Sequence, residues 1–105
     1  MHDVTIENIS DIETIECIKV FDEEMILLLS RTPDLIDIEI EKYTRKAGDG
    51  EKMPAEIHME ISREGKHDHL VFKEDYFEDY CYSNRKERNT LLNNILTQMK
   101  SRLEK

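Results

Sequence analysis

The chain has 105 residues, of which 37% are charged, and carries a formal net charge of -9. That length suits a single domain, 1–105, with enough core to fold without metal or disulfide support. The acidity argues against nucleic acid, whose affinity for proteins comes from Lys and Arg neutralising phosphates, and against anionic membrane surfaces, which attract basic segments.

At the start, Met1-His2-Asp3 provides neither the basic nor the apolar region of a secretory leader. The longest unbroken apolar run, Met25 to Leu29, is too short to span a bilayer. A cytoplasmic chain with Cys17 and Cys81 as free thiols is therefore expected.

Residues 10–31 admit two readings. Ser10-Asp11-Ile12-Glu13 has the form of a capping box, so one helix to Arg31 is conceivable. Yet Ile12, Ile15, Cys17, Ile18, Val20, Phe21 and Met25 to Leu29 would surround such a helix rather than line one face. β-branched residues are frequent through Val20 and favour strand. The preferred reading is a hairpin of strands 14–21 and 25–31, with Asp22-Glu23-Glu24 as the turn. Pro33 ends the segment in either case.

Residues 35–43 alternate, with Ile36, Ile38 and Ile40 opposed to Asp37, Glu39 and Glu41. Residues 55–62 alternate again, with Ile57, Met59 and Ile61 opposed to Glu56, His58 and Glu60. Period two with one apolar face means half-buried antiparallel strands. The intervening stretch 44–54, with Gly48, Asp49, Gly50 and Pro54, reads as an exposed loop. Glu64-Gly65 is a two-residue hairpin turn leading to a return strand at 67–73. That register sets Ile57 opposite Phe72 and Met59 opposite Leu70, so the apolar sides match.

Leu91, Leu92, Ile95, Leu96, Met99 and Leu103 form one stripe of a helix over 85–103. Asn84 is its N-cap, with Glu87 completing a capping box. From Asn84 onward there are six Lys or Arg against two Asp or Glu; before it there are nine against 22. An acidic body thus carries a basic helix. These elements predict an α+β fold: an antiparallel, bent or barrel-like sheet closed by a C-terminal amphipathic helix. If 10–31 is helical, the alternative is an N-terminal helix, a three- to four-stranded meander and a C-terminal helix.

Tyr80-Cys81-Tyr82-Ser83, then Asn84-Arg85-Lys86-Glu87-Arg88 and the Leu91, Leu92, Ile95, Leu96 stripe, resembles the last strand and closing helix of pleckstrin-homology-like (PH-like) domains. The resemblance implies a bent barrel plugged at one end by the helix. Phosphoinositide-binding members cluster Lys and Arg around the first hairpin. Here that hairpin offers Lys19 and Arg31 and places Asp22-Glu23-Glu24 at its tip, so the resemblance implies protein binding rather than lipid binding.

Two surface constellations carry chemistry. His58, Glu60, His67 and His69 point outward from the hairpin, and two imidazoles at a cross-strand diagonal with a carboxylate could hold zinc. Clustered histidines also titrate near neutral pH, so the same face could serve a metal- or pH-responsive regulator. The second is Glu74, Asp75, Tyr76, Glu78 and Asp79, acids interleaved with aromatics. Acids can steer a basic partner while aromatics supply buried area. Catalytic residues are not indicated. Cys17 and Cys81 read as structural thiols, and Gly48-Asp49-Gly50 is no phosphate loop. The expected function is a non-enzymatic protein-interaction module of adaptor or scaffold type, without cofactor, whose partner is a protein with a basic surface. The alternative is a small acidic chaperone or inhibitor.

Overall fold

The computed structural model describes residues 4–49 and 52–104. Met1 to Asp3, Gly50, Glu51 and Lys105 lie outside the described residues. The order is β1 (Thr5–Glu7), α1 (Ile12–Ser30), a single 3-10 turn (Pro33–Leu35), β2 (Glu39–Lys46), β3 (Glu56–Arg63), β4 (Lys66–Lys73), α2 (Tyr76–Cys81) and α3 (Arg85–Leu103). The α+β class holds. The sheet is four-stranded, open and mixed rather than barrel-like, in the order β1-β2-β3-β4. β1 runs parallel to β2, which α1 makes possible as the crossover.

The N-terminal hairpin does not form; residues 12–30 are one helix. Asp11 caps it, accepting a hydrogen bond from the Thr14 backbone N–H at 2.9 Å. Thr14, Cys17, Ile18, Phe21, Asp22, Met25 and Leu29 are its buried face, at helical spacing. Ile12 (75% exposed) and Leu27 (50% exposed) lie outside that face. Asp22, expected in a turn, lies within α1. It is buried, and the Tyr43 hydroxyl donates to it at 2.9 Å. Packing thereby overrides the strand preference of the β-branched residues.

The 35–43 strand is shifted to Glu39–Lys46. Leu35 is buried in the 3-10 turn, and Ile36 is 63% exposed, so the isoleucine alternation there is not one face of a strand. A β-bulge lies between Ile40 and Lys42, opposite Ile61 and Glu60. The extra residue, Glu41, breaks the period of two and puts both Ile40 and Tyr43 in the core. Thr44 to Lys46, read as loop, continue the strand.

The β3–β4 hairpin has the expected register, with Ile57 opposite Phe72 and Met59 opposite Leu70. Glu64 (φ 48) and Gly65 (φ 83) both have positive φ, as a primed two-residue turn requires. The 80–83 segment is not a strand. Tyr76–Cys81 is a short helix, with Phe77 and Tyr80 buried and Tyr82 at its C-cap. Arg88 closes that helix by donating to the Tyr80 carbonyl at 3.1 Å and to the Cys81 carbonyl. α3 and its capping box are as expected: the Asn84 side chain accepts from the Glu87 N–H, and Glu87 accepts from the Asn84 N–H.

The helices share one face of the sheet and one hydrophobic cluster. At its centre Phe21 meets Phe77 and Tyr80 edge-on at 5.2 and 5.1 Å, and Tyr43 meets Phe77 at 5.7 Å. The opposite sheet face carries Lys42, His58, Glu60, His69 and Val71. Among the described residues, no helix is long and apolar enough to cross a membrane.

A candidate acidic groove

The segment with the interleaved acids and aromatics divides by helical geometry. Phe77 and Tyr80 turn into the core, and Tyr76 packs half-buried against Phe72 at 4.8 Å. Tyr76 is therefore a core contributor rather than a docking ring. Its hydroxyl is buried without a hydrogen-bond partner among the described residues, and burial pushes its pKa up to about 12. Glu74, Asp75 and Asp79 stay exposed, and Glu78 is half-buried.

Three elements converge beside these acids. The first turn of α1 brings Asp11 and Thr14, the beginning of β3 brings Glu56, and the end of β4 leads into Glu74, Asp75 and Glu78. Together they line a groove of about 830 Å³ whose apolar wall is Pro54, Ala55, Val71 and Phe72. Lys73 is the one cation among its described lining residues. Asp79 is not part of the lining. Gly48 shapes the neighbouring loop: a Cβ there would stand 1.6 Å from the Met53 carbonyl oxygen. Only glycine permits that approach, which places the chain leading into Pro54.

Thr14, itself buried, is among the residues that line this groove. Its Oγ1 lies 2.6 Å from Asp11 Oδ2 and 2.8 Å from Glu78 Oε1. An ionised carboxylate only accepts, and a threonine hydroxyl has one proton to give. The hydroxyl therefore serves one carboxylate at a time, the Thr14 backbone N–H stays on Asp11, and both carboxylates keep lone pairs for a further donor. The Thr14 side chain and backbone bonds hold the Asp11 carboxyl below its ordinary range. Glu74 is paired with Arg45 at the rim.

The histidine face resolves differently. His58 and His69 stack with ring centroids 5.1 Å apart. His58 Nε2 lies 3.3 Å from Glu56, Glu60 is 3.8 Å from Lys42, and His67 lies 3.3 Å from Glu41. The four zinc candidates thus split among different partners. Among the described residues, no group of three or more His, Cys, Asp or Glu side chains is placed to hold a metal.

Cys17 and Cys81 are both free thiols. Burial, then the hydrogen bond with Cys81, pushes Cys17 up to about 12. That is the opposite of an activated nucleophile. A second groove, about 450 Å³, lies between α1 and α3 and is lined by Arg31, Arg85, Arg88 and Leu27 among others. Its Arg88 is committed to Glu24 at 3.3 Å and to the end of α2.

Sequence reasoning singled out the acids of β4–α2. It missed Asp11, Thr14 and Glu56, which reach the groove only through the fold. A capping box is legible at Ser10 and Glu13, one residue before the cap that forms at Asp11, but not what that helix end faces. No family model, curated protein or solved structure matches the chain.

Proposed function

We propose that the chain is a non-enzymatic protein-interaction module that binds a basic partner in the acidic groove. The observation that carries this reading is Thr14 between Asp11 and Glu78. Thr14 holds the two carboxylates side by side with one N–H and one hydroxyl proton, so both keep lone pairs that a Lys or Arg entering the groove can use. Charge-assisted hydrogen bonds of this kind are about twice as strong as neutral ones. Glu56, Glu74 and Asp75 extend the negative field, and Pro54, Ala55 and Val71 offer apolar contact to the stem of a long cationic side chain. The net charge of -9 favours rapid encounter with a basic partner at low salt. The same surface serves an adaptor or an inhibitor.

Calorimetric titration with a short peptide of alternating lysine and valine tests this. The expected result is saturable binding that weakens with salt and falls about tenfold or more in the E56Q/E78Q variant. Equal affinity of wild type and variant would overturn the reading.

A further inference from the structure

We infer that the partner's basic segment binds as an extended strand, adding to the open half of the β4 edge at Val71 and Lys73. The inference rests on the acidic-groove reading and names the form of the partner.

The argument starts at the hairpin turn. Two residues, Glu64 and Gly65, separate the paired Arg63 and Lys66. In such a turn the flanking pair exchanges both backbone hydrogen bonds, and bonded and non-bonded pairs then alternate along the ladder. Asp68, Leu70 and Phe72 are therefore bonded to Ile61, Met59 and Ile57. The N–H and C=O groups of His67, His69, Val71 and Lys73 point away from β3. The strand order places β4 at the sheet edge, so no strand among the described residues receives them.

The two halves of that edge differ. In the first half, Asp68 Oδ1 accepts from the His69 N–H at 2.7 Å. Asp68 is in turn 3.6 Å from Arg102, and Lys66 donates to the Glu104 carbonyl at 2.6 Å. The end of α3 thus guards the edge there, as natural sheets guard exposed edges. In the second half, no hydrogen bond among the described residues reaches the outward main chain of Val71 or Lys73. Val71 is 45% exposed and lines the acidic groove with Lys73.

An added strand gains main-chain hydrogen bonds at Val71 and Lys73, and its side chains fall alternately on the two faces. Lys73 repels a cation directly opposite. The segment that fits therefore alternates neutral and basic residues, with a neutral one across from Lys73. Its cations then reach Glu74, Asp75 and Glu78 where the groove continues past the strand.

The test uses the full chain and the lysine–valine peptide. Amide hydrogen exchange read by NMR should slow about tenfold or more at Val71 and Lys73 on saturation, while His69, already bonded, stays unchanged. Val71→Pro removes an outward donor and spares the β3–β4 ladder, so it should weaken binding about tenfold. If the peptide binds and E56Q/E78Q weakens it, but exchange at Val71 and Lys73 is unchanged, strand addition is overturned and the acidic groove stands. If E56Q/E78Q binds as wild type, or the peptide does not bind, both readings fall. Should Val71→Pro fail to fold, the exchange result on wild type decides.

Discussion

The Tyr43 hydroxyl donates to Asp22 Oδ1 at 2.9 Å, joining the middle of α1 to β2 inside the core. Burial, then the Asp22 charge, raises the Tyr43 pKa well above its ordinary value. Removing the hydroxyl takes a donor from a buried carboxylate. Tyr43→Phe should therefore cost about 1–3 kcal/mol, read as a lower urea midpoint at unchanged slope. An unchanged midpoint would show that the bond contributes nothing net.

That bond also explains what the sequence concealed. Asp22 in a run of three acids looks like a turn, and its partner is 21 residues away. A burial pattern at helical spacing was present in Thr14, Cys17, Ile18, Phe21, Met25 and Leu29, but Ile12 and Leu27 masked it by being apolar and exposed. The β3–β4 register was legible because two alternating strands and a Glu-Gly turn constrain each other. The bulge at Glu41 was not legible, since a single inserted residue leaves no mark on composition. In the groove, the acids local to β4–α2 could be read directly. The convergence of Asp11 and Glu56 on them is a property of the crossover and the hairpin together.

Tyr76 offers a prediction of opposite sign. Its hydroxyl is buried with no partner among the described residues, which carries a desolvation cost. Tyr76→Phe keeps the ring contacts with Phe21, Phe72 and Phe77 and should stabilise the fold by about 1 kcal/mol. A lower melting temperature would reveal a partner for that oxygen.

Glu64 pays a conformational cost at φ 48. Asparagine tolerates that region and, followed by Gly65, forms the preferred primed turn. Glu64→Asn should add about 0.5–1 kcal/mol. Gly65→Ala, at φ 83, should destabilise by a similar or larger amount. Paired urea curves on the two variants check both signs.

Alkaline pH should destabilise the protein in a defined window. Cys17 and Tyr76 are pushed up to about 12 from ordinary values of 9.0 and 10.0. As pH rises past the ordinary values, the unfolded chain loses these protons while the folded chain keeps them. The unfolded state then binds fewer protons, so stability falls with pH until the folded groups ionise near 12. Each such group contributes about 1.4 kcal/mol per pH unit. Urea unfolding across the window should show the decline starting near 9. Cys17→Ala should delay the onset toward 10.

The acidic groove is tested most directly by mapping where a basic ligand touches the folded chain. Backbone amide shifts of the whole protein, followed during titration with the lysine–valine peptide at low salt, should move at Asp11, Thr14, Glu56, Val71, Lys73 and Glu78. They should stay still at Arg31 and Arg85 in the α1–α3 groove. Shifts confined to that second groove, or spread evenly over the acidic surface, would contradict the account.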